Sequence, residues 1–374
     1  MRQPIRELET RVNRTYRGGL LLDEFLGNEH PQDGFTPEDW VSSFTEAKNK
    51  IYIEQEGITR TEGGCLITDV IRTSDFGKGR KSPGMLVKLL DSGERLGIQV
   101  HPDDECAGRF FGSRCGKTEC WHILNTRENP NGKPFIYLGF REWVTREIWR
   151  DLFRRQDIAG MLHAMHAFEV QKGDTILVPG GMPHAIGAGC FLLELQQPSD
   201  YTLRAETTTA AGERLTPQQI HYGIGEEAML ECFDYTPRTR TRIQNRYFLS
   251  HPAVQTSGCI RTELVTYDDT ACFALTRIQG NAVICQDTFV TLISLSDGSF
   301  SDGWGTAWNP AGNAGAVCSA GSAAGEVRGV PLTRGEKYFI PCNTPVRLCG
   351  CDVLICHPPR QTEECFPIDS FTDG

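Results

Sequence analysis

Short apolar runs interrupted by Gly and Pro dominate the chain, and few of them carry a helical period. "PFIYLGF" (134–140), "DTILVPG" (174–180), "CFLLELQQ" (190–197), "TFVTLISLSDGSF" (288–300) and "KYFIPCNTPVRLCGCDVLIC" (337–356) read as strands. The 39 glycines supply the many tight turns that such short strands need. The pattern predicts a mainly β protein, an antiparallel sandwich or barrel with few helices. Helical signals are confined to three places. "TPEDWVSSFTEA" offers Thr36 as cap, Pro37 at the first helical position and Asp39 three after the cap. "TREIWRDLFRR" puts Ile148, Trp149, Leu152 and Phe153 on one stripe, and "TPQQIHYGIGEEAML" repeats the Thr-Pro opening, with Gln219 completing a capping box.

One strand breaks the apolar pattern. In "GIQVHPDDE" (97–105), Gln99 and His101 are two apart, so in extended chain both face one side of a sheet while Ile98 and Val100 take the other. A polar pair aimed at a sheet interior needs a partner, and a metal ion is one. "GKTECWHIL" (116–124) adds Lys117 and Glu119 with the same spacing, and "VPGGMPHAIGAG" (178–189) adds His184 after a turn. Gln99, His101, Glu119 and His184 would give two imidazole nitrogens and two oxygens, a set suited to zinc and tolerant of other divalent transition ions. Each also has a plain reading: a histidine satisfied beside a turn, a glutamate paired with Lys117. His122 has the wrong strand parity to join them unless a bulge intervenes.

A weak internal repeat relates "QKGDTILVPGGMPHAIGAGCFLLEL" to "TRGEKYFIPCNTPVRLCGCDVLICH". The second copy has Val346 or a neighbour where the first has His184. Two related β-barrels are therefore expected: a catalytic part with helical insertions, residues 1–240, and a part without metal ligands, residues 241–374. The stretch "AGNAGAVCSAGSAAGEVRG" (311–329) reads as a loop or a poorly ordered insertion.

Composition narrows the classes. The 374 residues, 39% hydrophobic and 23% charged, are globular in character. A net charge of −10 argues against nucleic acid held on a general basic surface. No run approaches the roughly 18 apolar residues of a membrane span, and "MRQPIRELETRVNRTYRGG" lacks the apolar core of a signal peptide. The expectation is a cytoplasmic protein whose 15 cysteines are reduced thiols. The densest group, Cys342, Cys349, Cys351, Cys356 and His357, fits packing better than zinc, since CxxC spacing is absent.

Five stretches occur in order: "MLVKLLDSGERLGIQVHPDDE" (85–105), "GKTECWHIL", "IYLGF", "GDTILVPGGMPHAIGAG" and "LLELQQPSDYTLR", the last ending at Arg204. Together they resemble type I mannose-6-phosphate isomerases, zinc enzymes of the cupin superfamily. The resemblance runs from about Gly18 to Arg204 and is nearest to the shorter bacterial members, which carry a second, ligand-free cupin. It implies one zinc ion on Gln99, His101, Glu119 and His184, and catalytic roles for Lys117, Glu194 and Arg204. The substrate it implies is a small sugar phosphate, isomerised between aldose and ketose through a cis-enediol.

Arg204 would then stabilise developing negative charge, since it cannot act as a base near neutral pH. If Glu194 faces the barrel interior, burial would raise its pKa toward the range useful for proton transfer. The base stays open between Glu194, a metal-bound hydroxide and another group. Two departures concern recognition: Gly97 stands where these enzymes usually have Ser, and "YTLRAETTT" replaces their usual continuation. Arg214 and Lys133 are candidates for a phosphate anchor. The alternatives are an isomerase of another or unphosphorylated aldose, and a metal-binding cupin that senses sugar without turnover.

Overall fold

Every pair of strands among the described residues is antiparallel, and the strands build three sheets. The structure is a computed structural model describing residues 3–49, 51–128, 132–302 and 330–360. A seven-stranded sheet runs, in order, Phe248–Leu249, Thr175–Val178, Glu119–Thr126, Cys190–Gln196, Leu86–Ser92, Glu38–Val41 and Arg11–Val12. A five-stranded sheet runs Leu203–Arg204, Gln99–Val100, His184–Ile186, Phe135–Phe140 and Met165–Glu169. The two share a buried cluster in which Leu90, Trp121 and Ile123 of the first meet Ile136, Leu138 and Ile186 of the second. Strand outweighs helix about two to one, so the mainly β class is observed.

The five-stranded sheet turns its other face to helices. Ile98, Val100, Phe140, Ala185 and Leu203 pack with Trp149, Leu152 and Phe153 of the Arg146–Arg155 helix and with Met229 and Leu230 of the Glu226–Glu231 helix. Ile98 and Val100 thus take the face opposite Gln99, as the alternation predicts. The capping box of Thr216 and Gln219 opens the Pro217–His221 helix.

The third sheet has nine strands and takes in Lys337–Ile340, Val290–Ser294, Val346–His357, Ala274–Ile284 and the N-terminal Ile5–Glu7. Its faces alternate: Val290, Leu292, Tyr338 and Val346 form a core of their own, while Ile293, Phe339 and Leu354 join the cluster under the seven-stranded sheet. The internal repeat is visible in its backbone. Gly173 and Gly335 both have positive φ, and Gly181 (φ 84°) has its counterpart in Asn343 (φ 54°). Asn is among the few non-glycine residues that tolerate that region. Each turn then ends in Pro and opens a strand, at His184 in one copy and at fully buried Val346 in the other.

One predicted helix is not formed. After Pro37 the chain is a strand, Glu38–Val41, paired on one side with Leu90–Val87 and on the other with Arg11–Val12. All four residues are buried, and a local Thr-Pro cap signal does not outweigh two ladders and that burial. The stretch 311–329 lies outside the described residues.

Candidate metal centre and active site

The site lies between the five- and seven-stranded sheets, and strand register assembles it. Gln99 pairs with His184 on one side and with Arg204 on the other. Across the gap, Glu194 stands opposite Lys88 and Trp121, and Gln196 opposite Glu119. His184, Glu119 and His101 are all buried, and their ligand atoms lie within 4.8 Å of one another. Gln99 joins them, with its amide 3.1 Å from His184 Nε2. Trp121 meets the His184 ring edge-on, with centroids 5.5 Å apart.

Hydrogen bonds fix which ring nitrogens face the centre. His184 Nδ1 is 2.8 Å from the Met182 carbonyl and His101 Nδ1 is 2.7 Å from the Tyr201 carbonyl. A carbonyl only accepts, so both Nδ1 atoms donate and both Nε2 lone pairs face the centre, where the Gln99 amide nitrogen lies 3.1 Å from that of His184 and Lys117 Nζ 3.0 Å from that of His101. Burial lowers the pKa of both imidazoles, that of His101 to about 4 with Lys117 adding to the effect, so both are neutral near pH 7. Glu119 is held well below the ordinary carboxylate range despite its burial, chiefly by the Lys117 ammonium beside it. Its Oε2 accepts from Lys117 Nζ at 2.7 Å, while its Oε1, equally buried, has no hydrogen-bond partner. An orphaned carboxylate oxygen between two neutral imidazoles is what a divalent cation would satisfy.

The loop after Gln99–Val100 carries His101 and is clamped by two glycine-bearing turns. Gly181 N–H donates to the His101 carbonyl at 2.7 Å and Lys117 N–H to the Pro102 carbonyl at 2.9 Å. A Cβ on Gly116 would lie 2.4 Å from Pro102 O, and one on Gly180 would lie 2.6 Å from Asp103 Cα. Only glycine lets the three segments come this close.

Above the cluster is a cavity of about 470 Å³ lined by Lys117, Glu194, Arg204, Lys88, Asp200 and Gln99, among others. Glu194 Oε1 is 3.2 Å from Lys88 Nζ and 3.8 Å from Lys117 Nζ. Lys88 also lies 3.6 Å from Asp200 and 4.9 Å over the Trp40 ring. Arg204 donates from Nη1 to the Gln219 carbonyl at 2.5 Å. The sequence-predicted residues Gln99, His101, Lys117, Glu119, His184, Glu194 and Arg204 thus share one site. Lys133 is elsewhere, exposed and paired with Glu169, and Arg214 does not line the cavity. Gln196 and Gln197 are strand-end hydrogen-bonders, to the Ser199 carbonyl and to Thr118 N–H respectively.

Sequence reasoning missed Lys88, Asp200, Arg14 and Glu38, all of which line this cavity. The signal for Lys88 was present: a lone lysine inside the apolar run "MLVKLL" is out of place unless its face meets charge. His122 bonds Thr175 on the opposite face of its strand, as its parity predicts. The Cys342–His357 group does not converge either. Among the described residues only His101, Glu119 and His184 form a potential metal cluster, and Cys349, Cys351 and Cys356 are free thiols.

No family profile matches the chain. It is 36% identical over 146 residues to a probable mannose-6-phosphate isomerase of Bacillus subtilis, covering 39% of this chain and 44% of that protein. It is 31% identical over 200 residues to a mannose-6-phosphate isomerase of Streptococcus mutans, covering 53% and 58%. The matched stretches therefore span about half the length of these relatives. Among solved structures, the mannose 6-phosphate isomerase of Bacillus subtilis superposes with a TM-score of 0.70 at 20% identity, over 95% of this chain and all of that one. A mannose 6-phosphate isomerase bound with zinc and yttrium superposes with a TM-score of 0.66 at 16% identity, over 96% and 100%. The chain shares the fold of those structures over nearly its whole length.

Proposed function

We propose that this chain is a zinc-dependent aldose–ketose isomerase that interconverts mannose 6-phosphate and fructose 6-phosphate. The observation that carries the reading is the orphaned Glu119 oxygen between His101 and His184, next to a cavity that Gln99 and Lys117 line together with Glu194 and Arg204. The curated relatives named for this activity and the zinc-bound neighbour support it. Gln99, presenting its amide oxygen, would complete the ligand set with His101, Glu119 and His184. A divalent ion held there supplies Lewis acidity at the sugar's carbonyl and hydroxyl oxygens.

The chain's own residues do the rest. Glu194 takes the proton from one carbon and returns it to the next, oriented by Lys88. Lys117, between Glu119 and Glu194, donates to the ring oxygen as the sugar opens. Arg204, with no carboxylate in ion-pair contact among the described residues, meets the charge that develops on the enediolate oxygens. The division into a catalytic part, residues 1–240, and a ligand-free part, 241–374, is supported by Val346 in place of a histidine, with Ile5–Glu7 and Phe248–Leu249 each lent to the other part's sheet. A cytoplasmic setting is supported by the free thiols. Among the described residues no helix is long and apolar enough to cross a membrane.

A second reading, an isomerase of an unphosphorylated aldose, draws on Glu206. Its carboxylate lies 3.9 Å from where a side chain on Gly97 would begin, inside the same cavity. A coupled assay of the zinc-loaded protein on mannose 6-phosphate and on mannose decides. Turnover of the phosphosugar with a higher kcat/KM is expected; turnover of mannose alone would install the second reading, and turnover of neither would remove both.

A further inference from the structure

We propose that Lys48 is the residue that binds the substrate's phosphate; this rests on the sugar-phosphate isomerase reading and adds its anchor. The cavity has six described cations on its walls, and four are already neutralised. Lys117 is paired with Glu119, Lys88 with Glu194 and Asp200, and Arg14 with Glu38 at 2.9 Å. Arg95 is held by both oxygens of Glu206, at 2.6 and 2.9 Å, and its Nη1 also donates to the Leu96 carbonyl. A guanidinium used in that bidentate way has little left to offer an anion. Arg204 and Lys48 remain. Arg204 pairs through its strand with Gln99, so it belongs to the reacting end of the cavity.

Lys48 is different in kind. It is exposed, and no carboxylate among the described residues is in ion-pair contact with it. Its ammonium lies instead 4.6 Å from the centroid of the Tyr201 ring and 6.0 Å from that of Tyr222. An aromatic face steadies a cation without neutralising it and leaves its N–H donors free. The platform is itself fixed: Tyr201 stacks on Phe111 at 4.5 Å and its carbonyl holds His101, while the Tyr222 hydroxyl donates to the Asp200 carbonyl. The lysine is therefore tied in position to the ligand cluster. Deeper in the cavity, Glu38, Asp200, Glu194 and Glu206 balance the paired cations, which suits an uncharged polyol and repels a dianion. A sugar phosphate enters with its carbonyl end inward and leaves its phosphate with Lys48.

The test compares kcat and KM on mannose 6-phosphate and on mannose for the zinc-loaded parent, Lys48→Met, Lys48→Arg and, as a control, Lys133→Met. Lys48→Met is expected to lose about 10- to 100-fold in kcat/KM on the phosphosugar, mostly through KM, as for one charge-assisted hydrogen bond. Mannose turnover and zinc content should not change, Lys48→Arg should recover most of the loss, and Lys133→Met should match the parent. A parent that prefers the phosphosugar and a Lys48→Met variant that keeps the full preference would overturn the assignment. A parent that turns over both sugars equally would overturn it too, while leaving the isomerase reading standing. Turnover of neither sugar by the parent would overturn that reading, and the anchor with it.

Discussion

At the scale of single residues, the site contains charged groups of two kinds, one left short of a partner and others with several. Glu119 Oε1 is the first kind, and a cation is the simplest thing to complete it. Replacing His184 with Ala, or Glu119 with Gln, should leave well under one zinc per chain after dialysis, measured by elemental analysis; Cys351→Ser should retain the parent's content. Full occupancy in His184→Ala would mean that the ion sits elsewhere. Lys88 is the second kind, sharing Glu194 and Asp200 while lying over Trp40. Among the described residues Arg204 donates only to backbone carbonyls, so its charge is free for the reaction. Arg204→Ala should keep its metal and lose on the order of 10² to 10³ in kcat, the usual cost of one stabiliser of developing charge. Near-parental kcat would make it a structural residue.

At the scale of elements, the precision of the centre comes from the clamp around Pro102 and Asp103. A methyl group on Gly180 would meet backbone atoms 2.6 and 2.8 Å away, and backbone cannot move aside as a side-chain tip can. Gly180→Ala should therefore displace the loop that carries His101 and weaken zinc binding about 10- to 100-fold, as loss of a ligand's support typically does. Gly34→Ala, with nothing within 4 Å of its new methyl, is the control. Competition with a chromogenic chelator reads both, and equal affinities would show that the loop is not held this way. The same loop shows what was legible in the sequence. Period-two spacing put Gln99 with His101 and Lys117 with Glu119 because that rule is local. The strand at Glu38–Val41 was misread as a helix because its two partners, at Arg11–Val12 and Val87–Leu90, are distant in sequence. Its residues Glu38 and Trp40, with Arg14 beside them, were lost from the predicted site for that reason. Asp200 follows a strand end in "QQPSD", where an acidic residue looks like an ordinary solvated turn.

At the scale of the whole molecule, the chain's first strand is part of the sheet formed by its last third. Ile5–Glu7 pairs with Phe339–Lys337, and Arg6 reaches Glu336 at 2.6 Å. Beside this seam Glu7 is buried, accepting from Ser42 N–H at 2.9 Å and from the Ser42 hydroxyl at 2.6 Å. Burial pushes its pKa up to about 7, against the pull of those two bonds and of Lys337. In the unfolded chain an ordinary glutamate titrates near 4.3. The folded state therefore binds the proton more tightly, and unfolding releases it between those two values. Glu7's contribution is complete below about pH 4 and is lost as pH rises toward 7, a penalty of order 3 kcal/mol above it. Glu7→Gln keeps an acceptor for Ser42 and removes the titration. Urea midpoints measured at pH 5.5 and pH 8 should fall more across that interval in the parent than in Glu7→Gln. Parallel changes in the two proteins would show that Glu7 is ionised throughout and that the seam draws no pH dependence from it.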